Sequence, residues 1–101
     1  MSRPKPLKPD DAVKQIKLTL DQGIVELSNH CLNDSMPKRD IDSEDIIAAL
    51  SNGQIIKVAE WDSVYNNWKY RVEGLDISKE ELTVITIIFQ SNLSLFIVTV
   101  F

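Results

Sequence analysis

The 101-residue sequence contains one cysteine, Cys31, and one histidine, His30. A single thiol excludes an internal disulfide framework and fits a reducing, cytoplasmic setting. One His and one Cys also fall short of a usual Cys/His zinc site, so no metal and no cofactor is expected. Positive charge is not in excess either: 11 Lys and Arg face 15 Asp and Glu, for a net charge of -4 and a pI near 4.8. That balance argues against broad, non-specific nucleic-acid binding but leaves room for a local basic patch. Long apolar runs are absent too. Val84 to Phe101 is the most apolar stretch, yet Gln90, Ser91, Asn92 and Ser94 divide it into strand-length pieces. A membrane-spanning helix needs about 20 mostly apolar residues, so none is expected. The N-terminus is charged but lacks the apolar core of a secretory leader. No internal repeat is visible.

Three of the four prolines (Pro4, Pro6 and Pro9) fall in the first nine residues, among Arg3, Lys5 and Lys8. Prolines at that spacing favour an extended, solvated arm over residues 1–10. It reads either as a basic arm touching an acidic partner or as a frayed terminus. Residues 11–101 read as one domain. Asp10 or Asp11 caps a helix over about 12–22, with Val13, Ile16 and Leu20 on its apolar face and Gly23 as its stop. Ile24 to Leu27 reads as a short strand or an extended link. Ser28 or Asn29 opens a short helical segment through Cys31 and Leu32, which Pro37 disturbs. Cys31 reads as a small buried residue. Asp42 or Ser43 caps the clearest helix, with Ile46, Ile47 and Leu50 as its stripe, Ile41 as a staple and Ser51-Asn52-Gly53 as its end. Four strands follow, over about 55–62, 68–73, 82–90 and 95–101. The order predicts an α+β fold, with two N-terminal helices packed on a four-stranded antiparallel sheet.

One strand stands out. In Asn67 to Gly74, Trp68, Tyr70 and Val72 alternate with Lys69, Arg71 and Glu73, so aromatic and charged side chains point to opposite faces. An ordinary strand with a solvated charged face would look the same. A second polar concentration runs from His30 to Arg39.

These features together resemble the DUF4258 family. The resemblance rests on His30, Met36 with Arg39, the acid-capped helix ending in Asn52-Gly53, Lys69-Tyr70-Arg71-Val72-Glu73-Gly74, Leu82-Thr83-Val84 and Ile97-Val98-Thr99-Val100. It extends over about Ile24 to Phe101. That family is similar in turn to MqsR-like and RelE/ParE-like toxins, which place two helices before an antiparallel sheet. The resemblance implies a RelE-like fold, metal-independent cleavage of mRNA and neutralisation by an antitoxin encoded beside the toxin gene.

Such cleavage needs a base for the 2′-hydroxyl, cations for the phosphorane charge and an acid for the leaving 5′-oxygen. Lys69 and Arg71, about 7 Å apart on one strand face, suit one phosphate. Arg39 is a third candidate cation and His30 the first candidate acid or base; Tyr70 and Glu73 are secondary candidates. A lone His near a helix start is more often a hydrogen-bonded structural group than a catalyst, and His30 has that reading too. Tyr70 faces away from Arg71, so the two cannot serve one site. The competing expectation is a non-enzymatic binding module, or a toxin fold without catalysis. Its apolar last strand, Leu95 to Phe101, would lie at a sheet edge and pair with an antitoxin or with a second copy.

Overall fold

The computed structural model describes residues 3–101; Met1 and Ser2, the first two residues of the predicted arm, lie outside it. The first helix, α1, spans Pro9–Gln22 and starts earlier than the acidic pair suggested. Pro9 occupies its first turn, where a missing N–H costs nothing, and no side chain caps it. Its inward face centres on Ala12, Ile16 and Thr19, while Val13 and Leu20 are only partly covered. Thr19 enters the core because its hydroxyl donates to Gln15 O at 2.8 Å, which satisfies it locally. Gly23 ends the helix for a spatial reason: a Cβ there would run into the Leu93 carbonyl.

Ile24–Leu27 forms a strand, β1. The chain then turns helical and stays so past the proline. Cys31–Ser35 is a π-helical turn, closed by the Met36 N–H on Cys31 O, and it runs into α2 at Met36–Arg39. Pro37 brings no donor and a ring that crowds the preceding turn; the wider turn makes room for it instead of ending the helix. Cys31 and Met36 are buried. Helix α3, Ser43–Asn52, is capped by Asp42, one of the two predicted caps, and the cap is a full capping box: Asp42 accepts from Glu44 N and Asp45 N, and Asp45 accepts from Asp42 N. Ile46, Ala49 and Leu50 face the core, whereas Ile47 is exposed. The inward stripe is therefore rotated toward Ala49, which lets the helix approach Gly53 and Gly74 closely.

The expected first strand of the sheet is mostly not a strand. Residues 55–59 are unpaired, with Ile56 and Val58 on the surface, and only Glu60–Asp62 pairs, as β2. The remaining strands are β3 (Asn67–Leu75), β4 (Glu81–Phe89) and β5 (Ser94–Val100).

Among the described residues, these elements make an α+β fold of three helices and one five-stranded mixed sheet ordered β1-β5-β4-β3-β2. The prediction of two helices on a four-stranded antiparallel sheet is thus corrected in both layers. Strands β2 to β5 form the antiparallel meander, but β1 adds in parallel to β5, with Ile24 opposite Ser94. β5 is consequently interior and not an edge. Beyond β1, Ser28 Oγ donates to Val98 O at 2.7 Å, and the π-turn's Ser35 Oγ lies 2.9 Å from Thr99 Oγ1. The terminal strand offers little free edge for pairing; the sheet's edges are β1 and β2.

The helices all pack on one side of the sheet, over Tyr70, Val72, Leu82, Val84, Leu95 and Ile97. Among the described residues, the opposite side carries no helix. There Ile87 is fully buried beside the Tyr65–Phe96 ring pair, whose centroids lie 5.1 Å apart, and Ile85 is half-buried. Cover for both faces of β4 is therefore only partial on the open side.

Candidate functional site

The alternation of β3 places Lys69, Arg71 and Glu73 on the open side and Tyr70 and Val72 under the helices. Two of the open-side residues, Lys69 and Arg71, border a groove of about 310 Å³, together with Lys57, Glu60, Thr99 and Phe101. A β-bulge helps shape it. Ile85 pairs with Thr99 but Thr86 pairs with Ile97, so Val98 is the extra residue of β5 and lines the groove alongside Thr99.

The cations are not bare. The Lys69 ammonium is 3.6 Å from Asp62 Oδ2, and Arg71 Nη2 is 3.8 Å from Glu73 Oε1. Glu60 stands opposite Lys69 across the β2–β3 pair. Asp62 also accepts the N–H groups of Val64 and Tyr65 at 2.8 and 3.0 Å. The Tyr65 N–H, aided by Val64 and by Lys69, holds its carboxyl below the ordinary aspartate value against the opposing effect of burial. Asp62 is therefore a fixed anion that orients Lys69. Arg71 is held differently. Its guanidinium lies 5.1 Å from the Phe101 ring centroid, and its Nε is buried without a hydrogen-bond partner. The remaining guanidinium donors keep the fork that suits a phosphate.

Other predicted site residues lie elsewhere. His30 opens the π-turn beyond β5, with Nδ1 3.2 Å from Asp34 Oδ2 on the surface. Two strand spacings, about 10 Å, already separate β5 from β3, and His30 is not among the residues lining the groove. Arg39 donates from Nη2 to Glu81 O at 2.7 Å. Glu81 is four residues from Arg71's partner Ile85, or about 13 Å along β4. Arg39 thus closes a helix onto the sheet and adds no third cation to the groove. Tyr70 faces the helices, and its hydroxyl accepts the Leu7 N–H at 2.9 Å. Burial pushes the phenol's pKa up, with the Leu7 N–H pulling against it. Of the predicted set, the side chains of Lys69, Arg71 and Glu73 come together; Tyr70 borders the groove between Lys69 and Arg71 but turns its ring to the helices, and His30 and Arg39 do not join them.

Lys57, Glu60, Thr99 and Phe101 escaped the sequence reading. Glu60 was accessible in principle, since a hairpin closed over residues 63–66 pairs it with Lys69. Thr99 follows from Ile85 only once the bulge is known. Lys57 lies in an irregular segment that carries no periodic signal.

Among the described residues, no group of three His, Cys, Asp or Glu side chains is placed to hold a metal ion, and no helix is long and apolar enough to cross a membrane. The molecule is thus an α+β domain with helices on one sheet face and a cation-lined groove on the other. It belongs to the DUF4258 family, a domain of unknown function, whose model matches residues 27–101. The match starts at the last residue of β1 and leaves the arm and α1 outside. No curated protein and no solved structure matches the chain.

Proposed function

We propose that the open sheet face binds single-stranded RNA, and that the chain is the toxin-like member of a toxin–antitoxin pair that cleaves RNA without a metal. The observation that carries this reading is the placement of Lys69 and Arg71 on the helix-free side, lining one groove with Lys57. A phosphate seated there meets a guanidinium fork and two ammonium groups. Glu73, 3.8 Å from Arg71, takes over from His30 as the candidate base for the 2′-hydroxyl, and the leaving 5′-oxygen takes its proton from solvent water in the open groove. The Arg71 guanidinium would then share its charge between that carboxylate and the phosphorane. An antitoxin neutralises such a protein by covering the groove. β5 does not provide the route for its docking, because it is interior.

A second reading is favoured by the carboxylates beside Lys69 and Arg71 and by the distant His30: a toxin fold that binds RNA but does not cut it. Purified full-length protein separates the two. Incubation with a labelled single-stranded RNA at low salt, in the presence of a chelator, is expected to yield 2′,3′-cyclic phosphate ends, and Glu73→Gln is expected to abolish them while leaving binding in place. Binding without cleavage selects the second reading. Absence of both, together with unimpaired growth on expression of the chain alone, ends the RNA reading.

A further inference from the structure

The arm holds a pattern that the groove does not use. Arg3, Lys5 and Lys8 each precede a proline. Such residues are driven into the extended region, and each proline fixes its own φ near −65°. Lys8, at φ −66° and ψ 152°, sits in the polyproline II well. The arm is therefore a stiff rod before it touches anything.

That rod lies against Trp61, Trp68 and Tyr70. Trp61 and Trp68 face each other across the β2–β3 pair, on the side opposite the groove, with ring centroids 5.3 Å apart and planes at 82°. The Trp68 Nε1–H donates to Pro4 O at 2.6 Å. The Leu7 N–H donates to the Tyr70 hydroxyl at 2.9 Å. The Arg3 guanidinium stands 4.6 Å above the Trp61 ring. Both hydrogen bonds go to rings on one face of the sheet, Trp68 and Tyr70 of β3. Aromatic rings that cradle a proline-rich rod while their polar ends bind its backbone are the means by which such segments are recognised between proteins. Attachment is light: Arg3, Pro4, Lys5 and Pro6 stay exposed and only Leu7 is half-buried.

We propose that Trp61, Trp68 and Tyr70 form a docking site for a basic, proline-rich segment of a partner protein in the polyproline II conformation, and that residues 3–8 fill this site in cis. Both hydrogen bonds use backbone groups that any chain carries. Selectivity comes from the rod conformation and from a cation placed over Trp61. The arm then acts as a tethered competitor, at an effective concentration in the millimolar range. The site stands apart from the RNA reading, since the groove lies on the other face of the sheet.

The test uses the full-length chain, its Pro4→Gly/Pro6→Gly variant and a synthetic peptide of residues 2–9. The readout is the Trp68 indole N–H resonance. In the variant, whose arm has lost its stiffness, the peptide is expected to return this resonance saturably to its position in the intact chain. In the intact chain about tenfold more peptide is needed, because the tethered arm competes. A peptide with alanine at all three proline positions is expected not to bind. Trp68→Phe, followed through the Trp61 indole, is expected to weaken peptide binding about tenfold by removing one hydrogen bond. Equal binding of the proline-free peptide overturns the proposal, as does the lack of any shift in a folded variant. Should the variant not fold, the intact chain decides. At about 10 mM peptide, above the effective concentration of the arm, the Leu7 amide resonance must move to its free-chain position, and an unmoved resonance overturns the proposal.

Discussion

Strand β3 has two faces that share a backbone and little else. Toward the helices, Tyr70 and Val72 are buried, uncharged and matched by Thr86 and Val84 on β4. Toward the open side, Lys69, Arg71 and Glu73 are only partly covered, and both cations have a carboxylate within 4 Å. Close packing fixes the first face, where removing atoms leaves a void. The second is fixed by charge geometry, where removing atoms leaves water. Stability and surface chemistry are thus written on alternate residues of one nine-residue element.

The largest test of this division is Leu82→Ala on the covered side. Leu82 is almost fully buried, and its truncation is expected to lower the unfolding free energy by about 2–5 kcal/mol, read from urea denaturation. Arg71→Ala should do the reverse. It is expected to leave stability within about 0.5 kcal/mol yet weaken single-stranded RNA binding about tenfold, with the slope of log K against log salt reduced by about 0.7. A loss of stability as large as that of Leu82→Ala would erase the distinction between the faces.

Acid sharpens the comparison further. The Asp62 pKa is lowered on folding, so its contribution is complete above the unfolded aspartate value near 3.9 and is lost as pH falls through that value toward the lower folded one. The stability difference between the native chain and Asp62→Asn is expected to be constant from pH 7 to about pH 5 and to shrink below about pH 4. A difference that persists at pH 2 would mean that Asp62 acts through shape and not charge. The smallest effect belongs to His30→Ala. Its pair with Asp34 is exposed, so stability should change by less than about 0.5 kcal/mol and RNA affinity by less than about twofold. A large loss of RNA cleavage in that variant would put His30 back into the chemistry.

What the sequence revealed of the fold follows its periodic signals. The N-cap of α3, the alternation of β3 and the burial of Cys31 are local patterns, and each appears in the structure. The misses are non-local or compensated. Ile24–Leu27 is too short to declare its partner, so the parallel pairing with β5 was invisible, and with it the interior position of β5. Residues 55–59 alternate like a strand but have no neighbour there to bond. Pro37 looked like a helix breaker because nothing in the sequence marks a π-turn. The candidate site was half legible for the same reason. Residues two apart on one strand, Lys69, Arg71 and Glu73, share a face by geometry, whereas His30, carried by the Ser28 and Ser35 bonds to β5, and Arg39 had to be placed by tertiary contacts that sequence spacing does not encode.

The pairing of β1 with β5 also governs the order in which the molecule assembles. The hydrogen bond from Ser28 to Val98 joins residues seventy positions apart, while β3, β4 and β5 meet their neighbours through short turns. Closing the long loop costs entropy that the local hairpins avoid. The meander can therefore nucleate early and β1 docks late, after α1 has been carried to the sheet. In the unfolding direction, β1 and α1 are expected to form the unit that opens first, and exchange of the Ile24 and Ser28 amides, which donate to Leu93 O and Ile97 O, should run ahead of exchange at Val84 and Ile85.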